Sequence, residues 1–227
     1  MIKIADMILE ELETELPGDI ADPVAALRGR VSQLLEEMAP RRTFADGTRG
    51  YHATAQTTIE VVVGKDAYDA TAARERFEFP VSPFVIQVND PVLTLNGALR
   101  LDLEIKEYRA ETTSKVLFPG ETVALGLGRQ FDVNLPPSIG RLEIPLGVDF
   151  GREKVRSHQM IFLAVETPIG TVRNPDAAHM RATINKVPPV GTGYVQDGLV
   201  PMANADGEVV AVKTATWTNI VELIPEA

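Results

Sequence analysis

Three histidines, His52, His158 and His179, are the side chains in this sequence best suited to metal binding or proton transfer. No two of them stand at the H-x-H or H-x-x-x-H spacing that sets two ligands on one strand or helix face. A shared site would therefore have to be made by the fold, and three separate histidines, satisfied or exposed, are expected instead. Ser32, Ser82, Ser114, Ser138 and Ser157 include none in a G-x-S-x-G elbow. Ser157 and His158 are sequence neighbours, but a catalytic triad is built by contact across a fold, so adjacency carries little weight. The chain has no cysteine, which excludes disulfides, thiolate nucleophiles and thiolate metal sites.

The stretch TVALGLGRQFDV, residues 122–133, places two glycines one residue apart after a β-rich run. A dinucleotide fingerprint needs a third glycine and a helix behind it to meet the phosphates. Here Arg129, Gln130 and Phe131 follow Gly128, so a β-bulge or tight bend is expected. VVVGKD fails as a phosphate loop because Gly64-Lys65 lacks the upstream glycine and the following Ser or Thr. Asp102 and Glu104 share a strand face, as paired catalytic carboxylates do, yet they alternate with Arg100 and Lys106. That pattern reads as a charge-balanced, solvated surface. Neither a cofactor site nor a catalytic constellation emerges, and no cofactor or metal is expected.

The formal net charge is −10. Nucleic acid binding needs a basic stripe, and the nearest candidate is the short APRRTFADGTRG, with Arg41, Arg42 and Arg49. Direct nucleic-acid binding is not expected. Acids interrupt the N-terminal MIKIADMILEELETE where a signal peptide needs an uncharged apolar core. No apolar run reaches the ~18 residues of a membrane helix, so a soluble, cytoplasmic protein without a membrane partner is expected.

Elements follow from periodicity. Ile4, Ile8, Leu12 and Leu16 form one helical stripe, and Val24, Leu27, Val31 and Met38 form a second after the Asp22-Pro23 start signal. A helical hairpin over 1–39 is predicted, then a linker loop over 40–52, then a β-rich body over 53–227. In the body TTIEVVV, residues 57–63, reads as a strand. A short helix is predicted near Ala70 to Arg76, and FPVSPFVIQV reads as an edge strand because of its prolines. VLTLNGALRLDLEIKEY alternates on both sides of Asn96-Gly97 and predicts a hairpin. Shorter strands are expected at Val116–Phe118, Thr122–Leu127, Gln130–Asn134, Arg141–Ile144 and Met160–Val165. The fold class is mainly β (α+β), an antiparallel sandwich or barrel behind the helical hairpin.

Trp217 is the only tryptophan and is read as core or as an interface anchor. Candidate interface residues are Arg41, Arg42 and Arg49 in the first loop and Pro188, Pro189 and Tyr194 in the stretch VPPVGTGY. The opening MIKIADMILEELETELPG resembles the amphipathic starting helix of neck and tail-completion proteins of tailed bacteriophages. The resemblance implies a non-enzymatic virion subunit assembled in the host cytoplasm, a symmetric homo-oligomer that contacts other virion proteins. Two other functional classes are weighed beside it. One is a small β-barrel hydrolase or lyase using His158 or His179 with a nearby acid. The other is a carbohydrate-binding β-sandwich.

Overall fold

The computed structural model describes residues 41–95, 98–145, 148, 150 and 152–224. Among these the chain forms strands β1 (Arg42–Thr43), β2 (Arg49–Val63), β3 (Arg74–Glu78), β4 (Ser82–Val88), β5 (Val92–Leu93), β6 (Ala98–Thr113), β7 (Thr122–Gly126) and β8 (Ser138–Pro145). There follow β9 (Val155–Ile161), β10 (Ala164–Thr167), β11 (Gly170–Arg173), β12 (Ala178–Ile184), β13 (Gly193–Gln196), β14 (Val200–Ala203) and β15 (Val209–Leu223). A single 3-10 turn, Gly128–Phe131, is the only helical element among the described residues.

Eight strands close on themselves in the order β2–β4–β6–β8–β9–β12–β13–β15 and back to β2, every pairing antiparallel. Closure removes the sheet edge and makes a barrel. Of the two architectures expected from the sequence, the closed barrel is the one formed. Alternation shows why: in β8, Ser138, Gly140, Leu142 and Ile144 are buried while Ile139, Arg141 and Glu143 are exposed. Each fully buried leucine or isoleucine contributes about 1.5–3 kcal/mol, so the inward row fixes which face is inside.

β2, β6 and β15 run 15, 16 and 15 residues, far beyond the usual strand of about 5–6. They continue past the closed ring, and their far ends carry β3, β7 and β14. β3 pairs with the end of β2, and β7 pairs with Arg109–Thr113 of β6. β10, β11 and β14 then lead back to β15. The corner between β9 and β10 is pinned from two sides. The Ser138 hydroxyl bonds both backbone groups of Phe162, and Asn174 accepts from the Leu163 N–H and donates to Ile161 O.

Several expectations need correction. The predicted helical hairpin over 1–39 lies outside the described residues, as does the Asn96-Gly97 turn. The strands flanking that turn do pair, with Leu93 opposite Leu99. β4 is not an edge strand, since it lies between β2 and β6. Pro83 is tolerated as its second residue, near the strand's start. The helix predicted near Ala70 to Arg76 is replaced by turns and then β3. Asp66 and Asp69 accept hydrogen bonds from the backbone N–H groups of Tyr68 and Thr71, and such local bonds compete with a helix.

The strand expected at Val116–Phe118 is a loop. Its backbone N–H groups turn toward the buried Glu75 carboxylate. The strand expected at Gln130–Asn134 is the 3-10 turn. Gly126 and Gly128 are required there for close approach, not for a bulge: a Cβ on Gly126 would lie 2.8 Å from Tyr108 O, and one on Gly128 2.4 Å from Val133 O.

Candidate functional site

Two bulges decide what the barrel holds. Along β15 the register passes from Lys213 opposite Val61 to Ala215 opposite Glu60, leaving Thr214 as the extra residue. Strict alternation from the inward Thr216 and Thr218 would turn Lys213 out. The bulge restores it to the interior, on the side of Ile59 and Val61. Along β6 the register passes from Ile105 opposite Ile86 to Glu107 opposite Val85, with Lys106 extra. That shift turns Tyr108 inward on the same side as Ile105. Bulges re-aim side chains in this way and recur beside active sites.

Both re-aimed residues face one internal cavity of about 40 Å³, measured with a water-sized sphere. That is room for more than a single water. Apolar walls surround it, among them Ala55, Phe84, Ile161 and Met180. Most polar groups in this region bond one another. Thr57 and Thr218 hydroxyls lie 3.1 Å apart, Ser157 Oγ is 2.9 Å from Tyr194 Oη, and Thr216 donates to Gln196 Oε1 at 2.7 Å. Gln196 Nε2 in turn donates to the backbone O of Lys213 at 3.1 Å.

Lys213 is 1% exposed, and among the described residues its Nζ has no hydrogen-bond partner. Burial disfavours the ammonium and lowers its pKa to about 8. Such a lysine is a nucleophile or base near neutral pH. Tyr108 Oη also lacks a partner with hydrogen-bond geometry among the described residues. Burial pushes its pKa up to about 12, against a small opposing pull from the Thr57 hydroxyl. It therefore stays protonated and can donate a hydrogen bond. Burial raises the Tyr194 pKa as well, opposed by Ser157 and Gln159. A buried group left unsatisfied, as the Lys213 amine is, costs roughly 1–3 kcal/mol or more, which makes this cavity the candidate site.

A larger open cleft of about 900 Å³ lies on the outer wall of the barrel. Asp102 and Glu104 in its lining are matched by cations. Asp102 pairs with Arg100 at 3.0 Å and Arg141 at 3.1 Å, and Glu104 pairs with Lys106 at 2.9 Å. The solvated, charge-balanced face expected for these residues is what forms. The unpartnered amine of Lys213 lies in the interior instead.

The fold does unite two of the histidines. His158 on β9 and His179 on β12 stack with ring centroids 5.1 Å apart, His158 Nε2 lying 3.1 Å from His179 Nδ1. Both are exposed on the outer wall, and no group of three possible metal ligands occurs among the described residues. His52 stacks on Phe44 instead.

The candidate interface residues fall into two sets. Arg41 is buried and donates to Val88 O and Asn89 O, with Asp90 at 2.9 Å. Arg42 donates to Ile224 O, and Arg49 lies 3.6 Å from Asp90. Pro188 and Pro189 are buried, and with Val187 they line the inner wall beside Tyr51, Leu101 and Tyr194. Tyr194 is 2% exposed and points into the barrel. Trp217 faces outward, half-buried, with the Arg76 guanidinium 5.4 Å from its ring centroid.

Sequence reading missed Lys213 and Tyr108. The available signal was a lone lysine inside the β-branched run VVAVKTATWT, a position where strand alternation alone predicts a wet side chain.

No family model and no curated protein matches this chain. A solved structure does: DynF from the dynemicin biosynthesis pathway of Micromonospora chersina. The TM-score is 0.60 at 12% identity, covering 78% of this chain and 81% of that one. At that identity the likeness shows the fold alone. It nevertheless corrects the virion-subunit expectation. The match is to a protein of a biosynthesis pathway, not to a neck or tail protein, and the non-enzymatic assembly role built on residues 1–20 loses its support. Among the described residues no helix is long and apolar enough to cross a membrane.

Proposed function

We propose that this chain is a small-molecule-processing β-barrel whose site is the interior cavity at Lys213. The observation that carries this reading is the Lys213 amine, wholly buried and without a hydrogen-bond partner among the described residues, facing an apolar-walled cavity. A barrel that only had to be stable would fill that volume with aliphatic side chains. The apolar walls suit an apolar ligand, and the amine and the Tyr108 hydroxyl suit a polar group at one end of it. The fold shared with DynF, a protein of a biosynthesis pathway, supports an enzyme-like role over a structural one. Within the wider class of β-barrel hydrolases and lyases, the reading proposed is one with the reacting group inside the barrel rather than at the outer histidines.

The test is entry of small apolar molecules. Straight-chain alcohols from propanol to octanol are titrated against the protein, following melting temperature and native mass. A saturable rise in melting temperature is expected, and it should be lost in Ala55→Leu, which fills the cavity wall while the barrel stays folded. Absence of binding by any member, or equal binding by Ala55→Leu, would overturn the reading.

A further inference from the structure

Resting on that reading, we infer that the substrate is a carbonyl compound, and that the Lys213 amine captures its aldehyde or ketone carbon as an imine. Three observations converge. The amine is delivered to the cavity by a bulge whose extra residue is Thr214. It has no carboxylate partner that would hold it as an ammonium: no salt bridge to Lys213 occurs among the described residues, and the acids on β15's neighbour β2 and on β3, Glu60, Glu75 and Glu78, are engaged elsewhere. Glu60 and Glu78 lie beside the Arg76 guanidinium, and Glu75 beside Ser114. The third observation is Tyr108 Oη, a neutral hydroxyl on another wall of the same cavity, with only the Thr57 hydroxyl beside it and able to donate to a carbonyl oxygen. A carboxylic acid ligand would instead ask for a fixed cation, and a sugar would ask for more hydroxyl partners than these walls present.

The step balances without any redox partner. The Nζ lone pair attacks the carbonyl carbon and a C–N bond forms. The C=O π pair moves to oxygen, which takes up a proton, while nitrogen loses one. The carbinolamine hydroxyl takes up a second proton and leaves as water as the nitrogen pair closes the C=N bond, and the nitrogen gives up its remaining proton. One carbonyl compound and one amine become one imine and one water. A pKa near 8 leaves Lys213 with on the order of a hundredfold more free amine at neutral pH than an ordinary lysine.

The experiment uses the whole chain and the aldehydes from propanal to octanal, with cyanoborohydride as the trap and peptide mass mapping as the readout. Reduction places hydride on the imine carbon and leaves a stable secondary amine. The expected result is a single dominant adduct on Lys213 that is lost in Lys213→Met, with the corresponding alcohols still binding both proteins. Wild-type mapping alone is decisive should the variant fold poorly. Adducts spread over other lysines with Lys213 unmodified, while the alcohols still bind, would overturn imine capture and leave the interior-site reading standing. Failure of both alcohols and aldehydes to enter would overturn both.

Discussion

Glu75 and Lys213 are both buried ionisable groups on strands, at 7% and 1% exposure, yet their surroundings are opposite. Glu75, on β3, accepts hydrogen bonds from Ser114 Oγ at 2.7 Å, Lys115 N at 2.5 Å and Leu117 N at 2.8 Å. Burial pushes its pKa up, but these donors outweigh burial and the net shift is downward. A loop has been shaped around this carboxylate so that it can stay charged. Lys213 has been given only an apolar cavity, and burial drives it toward the neutral amine. The difference separates a structural charge from a chemical one: Glu75 organises a loop, and Lys213 is left available for something that enters from outside.

Glu75→Ala tests the structural half and carries the largest expected effect. It strands two backbone N–H groups and a hydroxyl, and should destabilise by about 4 kcal/mol in denaturant unfolding. Its pH signature follows from the sign of the shift. A lowered folded pKa contributes stability in full above the ordinary carboxylate value of 4.5, lost as pH falls through the folded value. Acid unfolding of Glu75→Ala should therefore lack that component.

Lys213 should behave in the opposite sense. Its folded pKa, about 8, lies below its ordinary 10.5, so the unfolded chain binds more protons between those values. Stability should rise by about 3 kcal/mol from pH 8 to 10.5. Below pH 8 the full penalty applies. Lys213→Met should then be more stable than wild type by about 3 kcal/mol at neutral pH, the two converging at high pH. A variant less stable than wild type at neutral pH would erase the contrast with Glu75.

Smaller effects sharpen the map of the interior. Thr218→Val leaves the Thr57 hydroxyl without its 3.1 Å partner and should cost about 1 kcal/mol. His158→Ala removes an exposed ring stacked on His179 and should change stability by less than about 0.5 kcal/mol. It should leave ligand entry untouched. A large loss of ligand binding in His158→Ala would move the site to the outer wall.

Much of the barrel was legible in the sequence because β-strand alternation is a local signal. Leu99, Leu101, Leu142 and Ile144 could be assigned inward from their neighbours alone. The site was not legible, because it depends on register. Lys213 and Tyr108 are inward only because one residue was added to each strand relative to its partner, and no single strand records its partner. The meeting of His158 and His179 is likewise a product of β9 pairing with β12. Pro188 and Pro189 are expected at an interface for the same reason: nothing local to them announces that they line the barrel. The Asp66 and Asp69 turns were open to reading, and their carboxylates decide against the helix that composition favoured.

The most direct measurement is the titration of the Lys213 amine itself, followed through its side-chain carbon and nitrogen shifts in NMR of lysine-labelled protein, with Lys213→Met for assignment. The account predicts a midpoint near 8, and replacement of the Lys213 primary-amine signals by those of a secondary amine when a saturating aldehyde and cyanoborohydride are added. A midpoint near the ordinary lysine value of 10.5, unaffected by the aldehyde, would contradict it.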